Sequence, residues 1–188
     1  MDDELTRKPE AHFFVGSKAV WYDIADDLPQ HDAYPAEFDA EPQDRPTRLP
    51  STQGAIGGSC LCGEVAFEFD ETMDRMGFCH CSRCRKSRSS AHSAQTFVAP
   101  DAFRWTSGED RVRQFKLPES DFFFTSFCDI CGSPMPMEFP ERGVVMVPMG
   151  AVDQDPIARP QAHIYVGSKA PWVDIADDLL QFEAMPPV

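Results

Sequence analysis

The chain has 188 residues, a formal net charge of −14 at pH 7 and 42 % hydrophobic residues, including fifteen phenylalanines. This length fits one domain plus roughly 50 further residues, and the apolar content is sufficient for a buried core. The acidic charge disfavours nucleic acid as a partner. The sequence has no apolar run long enough for a membrane span, and its acidic first residues, 1–4, are unlike a signal peptide. We therefore expect a cytoplasmic protein.

The two ends of the chain carry the same segment. Residues 11–35 and 162–186 are identical at 17 of 25 positions, without a gap, at an offset of 151. Such self-similarity indicates a duplicated unit. Because the offset is about one domain length, we interpret residues 1–35 as the tail of a preceding copy that was lost, and residues 54–188 as one whole domain.

Each duplicated segment predicts a short strand, at 13–15 or 164–166, followed by a Gly-Ser-Lys turn and a tryptophan, Trp21 or Trp172. We expect both tryptophans to pack their segments onto a core, and lining a pocket is the alternative. Residues 36–53 are rich in proline and charge and predict a linker. Such a linker would let the N-terminal segment dock on its own domain or form a homodimer with a neighbouring chain.

From Gly54 onward the sequence predicts a mainly β domain, because many short apolar runs are separated by prolines and turn residues. Val65, Phe67 and Phe69 alternate with polar residues, as in a half-buried strand. The runs on either side of Ser107-Gly108 predict a hairpin. Its two runs are strands at 103–105 and 112–115. Further strands are predicted at 95–98 and 143–147 and a short helix within 82–91, and the apolar run 122–124 leads into the third cysteine pair.

All seven cysteines fall in three tight groups. In a reducing compartment, clustered cysteines indicate metal binding or catalysis more often than disulfides. Their odd number also argues against a complete set of internal disulfides. The groups are Cys60-Leu61-Cys62, Cys79-His80-Cys81-Ser82-Arg83-Cys84 and Cys128-Asp129-Ile130-Cys131.

The two outer cysteine pairs predict a closed, structural zinc site. Zinc binds four thiolates tetrahedrally at about 2.3 Å, and a C-x2-C turn places two sulfurs on one ion. The upstream C-x-C pair needs a turn rather than a regular strand, and a glycine follows each pair, Gly63 or Gly132. The ligands of this site would be Cys60, Cys62, Cys128 and Cys131.

The middle group offers three sulfurs, from Cys79, Cys81 and Cys84. Three protein ligands plus a vacant position are the arrangement of a catalytic zinc. The alternative is a closed site, completed by a fourth ligand such as His80 or His92. We expect the His80 ring to point away from the sulfurs, because it lies between two ligands.

A cluster of basic residues follows this middle group, although the chain as a whole is acidic. Part of the positive charge would balance a zinc ion with three thiolates, and the remainder would attract an anionic substrate. A solvated basic surface is the alternative. The basic residues are Arg83, Arg85, Lys86 and Arg88.

Together these motifs resemble the family of glutathione-dependent formaldehyde-activating enzymes, which belongs with the centromere protein V domain to a superfamily with the Mss4-like fold. The resemblance runs from about residue 54 to the end of the sequence, whereas the first 53 residues depart from the single-domain form. The residues that carry it are Gly58–Gly63, Cys79–Lys86, Phe127–Ser133, His163, Ser168–Ala170 and Trp172.

The resemblance implies several coiled antiparallel β-sheets, the closed structural zinc, and an active-site zinc on the middle group. It also implies a carbon–sulfur lyase that adds the thiol of glutathione to formaldehyde. Arg85, Lys86 and Arg88 would then hold the carboxylates of glutathione. Two alternatives stay open: the same fold acting on a different thiol or electrophile, and a zinc-stabilised binding module without catalysis.

Overall fold

The structure is a computed structural model that describes residues 8–35, 48–71 and 73–186. The acidic first residues and most of the predicted linker, residues 36–47, lie outside the described ranges. Within those ranges, no helix combines the length and apolar character that a membrane crossing requires.

The described residues are mainly β, as the sequence predicts, with one short α-helix. The strands are β1 (His12–Phe13), β2 (Gln30–His31), β3 (Ile56–Ser59), β4 (Ala66–Phe69), β5 (Met73–Cys79), β6 (Ser93–Val98), β7 (Phe103–Ser107), β8 (Val112–Lys116), β9 (Phe124–Cys128), β10 (Pro134–Met135), β11 (Met137–Phe139), β12 (Val144–Pro148), β13 (Ala162–Ile164) and β14 (Leu180–Phe182). The helix, α1, spans Ser82–Arg88, and short 3-10 helices lie at Val15–Ser17, Pro100–Ala102, Glu109–Arg111, Pro140–Arg142, Met149–Ala151 and Val166–Ser168.

These strands form several sheets across the described ranges, as predicted. The largest has the order β11-β12-β6-β5-β13-β14, and smaller sheets have the orders β3-β4-β7, β10-β9-β8 and β1-β2. Most neighbouring strands are antiparallel, whereas β1–β2, β5–β13 and β13–β14 are parallel. The duplicated segments are therefore the parts that depart from the predicted antiparallel pattern.

The hairpin predicted around Ser107-Gly108 is wrong in its pairing. Both runs are strands, but β7 pairs with β4 and β8 pairs with β9. Gly108 has φ +65° and is followed by the 3-10 turn Glu109–Arg111, which carries the chain from one sheet to the other. A Cβ at Gly108 would lie 2.3 Å from the carbonyl oxygen of Glu64, so the turn crosses close to the chain that leads into β4.

Strand β4 was predicted to be half-buried, and this is wrong, because all four of its residues are buried. Glu68 accepts hydrogen bonds from the Ser51 backbone N–H and hydroxyl and pairs with Arg104 at 3.1 Å. A buried charge that is paired and hydrogen-bonded is tolerated in a core. Ser51 belongs to the end of the predicted linker, so this end packs against the domain.

The buried residues form two clusters. The larger contains Phe67, Phe69 and Val147 among others and includes Cys60 and Cys128. In the smaller, Trp21 packs with Met76, Phe78 and Met149 and is only 7 % exposed. Trp21 thus packs its segment onto a core, as expected. The sequence leaves two docking places open for the N-terminal segment, and in the structure the segment docks on the domain of its own chain.

Candidate metal centres

The two outer cysteine pairs come together in the structure. The four sulfurs of Cys60, Cys62, Cys128 and Cys131 lie within 4.8 Å of one another. Cys62 Sγ is 3.4 Å from Cys60 Sγ and 3.8 Å from Cys128 Sγ. A zinc ion with tetrahedral Zn–S bonds of about 2.3 Å has sulfurs about 3.8 Å apart. The group therefore fits a zinc ion in both donor type and spacing.

Both pairs lie on turns that a glycine completes, as the sequence predicts. The Gly63 N–H donates to the Cys60 carbonyl at 3.0 Å, and the Gly132 N–H donates to the Cys128 carbonyl at 2.9 Å. The φ angles of Gly63 and Gly132 are +83° and +74°, a conformation that glycine adopts without strain. Each turn brings its second thiol back toward the first.

Ser133 links the two turns of this group. Its hydroxyl oxygen accepts from the Leu61 N–H at 2.9 Å and from the Cys131 thiol at 3.3 Å. Because Leu61 follows β3 and Ser133 precedes β10, the contact joins two separate sheets. The group is therefore a cross-link between parts of the chain that are about 70 residues apart in sequence.

The middle cysteines form a second group at the junction of β5 and α1. The sulfurs of Cys79, Cys81 and Cys84 also lie within 4.8 Å of one another. Cys79 ends β5, and Cys81 caps α1 with its sulfur accepting from the Cys84 N–H at 3.4 Å. Among the described residues, no histidine or carboxylate joins these three sulfurs. The group thus offers a metal ion three protein ligands.

Hydrogen bonds within this group divide the protons unequally. Hydrogen bonds with Cys79 and then Cys84 lower the pKa of the Cys81 thiol, the bond with Cys81 raises the pKa of Cys79, and bonds with Cys79 and then Cys81 raise the pKa of Cys84. Three thiol sulfurs at this spacing are a suitable donor set for a thiophilic cation such as zinc.

His80 lies between two of these cysteines but faces away from them. Its side chain is fully buried, and its Nε2 is 2.8 Å from Nδ1 of His163. His163 Nε2 in turn is 3.0 Å from the Asp177 carboxylate. Burial, followed by the neighbouring His92, lowers the pKa of His80 to about 4, so this imidazole is neutral at pH 7. His80 contacts His163 instead of serving as a fourth ligand, and His92 also lies outside the sulfur group.

The pairing of His163 with Asp177 is a feature that the motifs alone did not predict. A signal for it does exist in the duplication, because the N-terminal copy keeps the same two residue types as His12 and Asp26. These also pair, with His12 Nε2 2.9 Å from the Asp26 carboxylate. Conservation of both partners between the two copies would have indicated a contact.

Arg88 differs from the other basic residues of α1. Its Nη1 donates to Thr125 Oγ1 at 3.0 Å, while its Nε is buried without a hydrogen-bond partner in the described part of the chain. Arg83 donates to Ser120 at 3.0 Å and Arg85 to the His80 carbonyl at 3.2 Å, whereas Lys86 is exposed. Burial lowers the pKa of Arg88, but a guanidinium remains charged at neutral pH. Arg88 is therefore a half-buried cation with one buried donor to spare.

A cavity of about 580 Å³ borders Cys60 of the four-sulfur group and Arg88 of α1. Its wall does not include the middle sulfurs, but Ser93 lies directly opposite Cys79 in the β5–β6 pairing. The cavity therefore approaches the middle group to within one strand. The residues of its wall that matter here are Trp21, Cys60, Arg88, His92, Ser93 and Ser133.

The sequence model of one protein family, described as glutathione-dependent formaldehyde-activating enzyme, matches residues 55–168. A crystal structure of a Rhodobacter sphaeroides protein, a Northeast Structural Genomics target, is similar to 50 % of this chain and 85 % of that chain, with 19 % sequence identity and a TM-score of 0.40. This likeness is too distant to support a conclusion about function. No curated protein matches the chain. The matched range of the family includes all seven cysteines.

Proposed function

The chain belongs to the family of glutathione-dependent formaldehyde-activating enzymes, whose sequence model covers more than half of it, and we propose that it is a zinc-dependent carbon–sulfur lyase. Its substrates would be glutathione, or a related thiol, and formaldehyde or another small electrophile. One observation carries the proposal: the three sulfurs have no fourth protein ligand in the described residues, and one of them, on Cys84, lies on the same short helix as Arg88, whose buried Nε has no hydrogen-bond partner there.

The two cysteine groups would hold zinc in different ways. Cys60, Cys62, Cys128 and Cys131 would bind a structural ion through four sulfurs. Cys79, Cys81 and Cys84 would bind a second ion and leave one position for a substrate thiol. When bound there, zinc supplies the positive charge that deprotonates a thiol whose ordinary pKa is about 8.5. A reducing compartment such as the cytoplasm would keep these cysteines available as ligands.

Arg88 would anchor the thiol substrate through a carboxylate. Cys84 and Arg88 are four residues apart on α1, so their side chains project from the same face with Cβ atoms about 5–6 Å apart. A guanidinium binds a carboxylate through two parallel hydrogen bonds, and this fixes the orientation of the ligand. The cavity of about 580 Å³ that Arg88 lines is large enough for a tripeptide such as glutathione.

The chemical step would be an addition without oxidation or reduction. The thiolate sulfur attacks the carbonyl carbon, the C–S bond forms, and the π bond of the carbonyl breaks. The carbonyl oxygen then takes up a proton, which replaces the one that the thiol lost, so atoms and charge balance. Because formaldehyde offers little surface to bind, the rate gain would come from holding the thiolate in place.

The test compares formaldehyde consumption with and without the full-length protein in the presence of glutathione, with zinc counted per chain. We expect about two zinc ions per chain and consumption faster than in the uncatalysed mixture. Cys81→Ser should lose the activity while its circular dichroism spectrum stays unchanged. A panel of other thiols and aldehydes would identify a different substrate pair. Consumption no faster than the uncatalysed rate with every pair would instead favour the binding module.

A further inference from the structure

The duplicated segments fold in the same way at both ends of the chain. The parallel pairing of His12 with Gln30 corresponds to that of His163 with Gln181. In each copy a left-handed residue follows the first strand, Phe14 with φ 59° and Tyr165 with φ 58°. The repeated lysine donates to a backbone carbonyl at 2.8 Å in both copies. The two segments are therefore two examples of one structural unit.

An ion pair joins the chain just before the N-terminal unit to the C-terminal unit. Lys8 Nζ lies 2.5 Å from Asp174 Oδ2. At the offset of 151, Lys8 corresponds to Arg159 and Asp174 corresponds to Asp23. Asp23 in turn acts electrostatically on Arg159, where it helps to raise the pKa of the guanidinium, after the larger effect of Asp155. The equivalent positions thus carry the same charges in both units, which is the charge pattern that a two-fold interface between identical chains requires.

The cavity between the units has the same symmetry. Its volume is about 400 Å³, and equivalent residues of both units line it. The equivalent pairs are His12 with His163, Tyr22 with Val173, Asp23 with Asp174, Ala25 with Ala176, and Asp26 with Asp177. Unrelated surfaces that met by chance would not present the same positions to a shared space.

Each unit nevertheless lacks what the other has. The C-terminal unit joins its strand β13 to β5 of the domain, where His163 reaches His80, whereas β1 pairs with β2 alone within the described residues. Conversely, Trp21 is buried in the domain with Met76 and Met149, whereas the equivalent Trp172 is half-buried and lines the cavity between the units. A unit that had both its strand paired with a domain sheet and its tryptophan buried in a domain core would need two domains to dock on.

We infer that residues 8–35 occupy the surface on which the C-terminal tail of a second copy of this chain would dock. In a two-fold pair of domains, each tail would be anchored at its own sheet through β13 and would place its Trp172 in the other domain's pocket, which Trp21 fills here. The N-terminal unit thus closes an interface between copies from within one chain and keeps the chain monomeric.

The experiment uses the full chain and measures its mass in solution over a range of concentrations. The wild type should be a monomer except at the highest concentrations, where its weak association gives the reference affinity. The variant Lys8→Glu/Trp21→Ala should release the N-terminal unit and form dimers at high concentration. Adding Trp172→Ala, the equivalent residue of the other unit, should abolish these dimers. A synthetic peptide with the sequence of residues 8–35, added in excess, should return the double variant to the monomer.

A milder variant covers the case in which the loss of Trp21 unfolds the domain. Lys8 is exposed, so Lys8→Glu alone leaves the core intact, and Arg159 of a second chain would still face Asp174. We expect it to dimerise with an affinity roughly fivefold higher than that of the wild type, in line with the strength of one exposed ion pair. Restoring the pair with Lys8→Glu/Asp174→Lys should reverse the gain.

Three results would overturn the inference. The first is a wild-type chain that is already dimeric, including one that exchanges its N-terminal units between chains. The second is a Lys8→Glu variant that stays folded and shows no more association than the wild type at any concentration. Association that Trp172→Ala does not reduce would likewise show that the tail is not the docking element.

Discussion

Arg88 is the residue whose proposed role in substrate binding is easiest to separate from a role in folding. Its Nε is buried and has no partner in the described ranges, so Arg88→Gln removes a charge without breaking an ion pair there. If Arg88 holds a substrate carboxylate, the loss should weaken binding by roughly 1.5–3 kcal/mol, which is about a 10- to 100-fold rise in KM for glutathione.

The control for this variant is Arg75→Gln, at an exposed arginine on β5, which should leave KM unchanged. A second control is an esterified glutathione that lacks its carboxylate charges. The wild type and the Arg88→Gln variant should use this substrate equally poorly. An Arg88→Gln enzyme with wild-type KM for glutathione would contradict the assignment of Arg88 as the anchor.

His163 and its duplicate His12 provide a matched pair for stability. Replacing His163 with alanine leaves the Nε2 of fully buried His80 without its 2.8 Å partner, and an unsatisfied buried group costs roughly 1–3 kcal/mol. His12→Ala removes only the half-exposed pair with Asp26, which is worth roughly 0–1 kcal/mol. Denaturant unfolding of both variants should therefore give a clearly larger loss for His163→Ala, and equal losses would show that the contact with His80 is unimportant.

At the scale of single elements, most strands could be read from the sequence, but their partners could not. The strands β6 and β12 could be predicted because apolar residues cluster between turn signals, whereas β9 begins only at Phe124, the end of its apolar run. Pairing depends on contacts between distant parts of the chain, and for this reason β7 and β8 were wrongly joined. In β4, burial of Glu68 depends on Ser51 and Arg104, which a local pattern does not reveal.

Gly108 shows why the turn between β7 and β8 does not form a hairpin, and it can be tested against Gly143. Both have positive φ, +65° and +61°, so alanine at either position adds a backbone cost of roughly 1–2 kcal/mol. Only at Gly108 would the new Cβ meet a backbone atom, the Glu64 carbonyl oxygen at 2.3 Å, whereas nothing lies within 4 Å at Gly143. We expect Gly108→Ala to lose roughly 1–3 kcal/mol more than Gly143→Ala in thermal unfolding. Similar losses would mean that the turn has room to shift.

At the scale of the whole molecule, the sequence predicted the grouping of the cysteines better than anything else. A thiol that binds a metal must lie near other thiols, so motif spacing carries three-dimensional information for Cys60 and Cys128 although they are far apart in the chain. The docking of the N-terminal unit was left open, because a duplicated segment has the same local signals wherever it packs. Its position depends on which domain surface is available to Trp21.

The two cysteine groups should differ in what they do for the molecule as a whole. The four-sulfur group joins the β3 end of one sheet to the β9–β10 turn of another, and a structural zinc contributes its binding free energy to folding. The three-sulfur group lies between β5 and α1, which are neighbours in the chain, so its loss removes no link between distant parts of the fold.

Cys131→Ser should therefore lower the stability of the zinc-loaded protein by about 5 kcal/mol, a fall in Tm of roughly 10–20 °C. Cys81→Ser should shift Tm by only a few degrees while removing one zinc ion per chain. Thermal unfolding together with metal counting of both variants measures this difference. A chelator should lower the Tm of the wild type to that of Cys131→Ser or below it. Equal effects of the two substitutions on Tm would mean that both groups are structural, and the distinction between a closed and an open site would then fail.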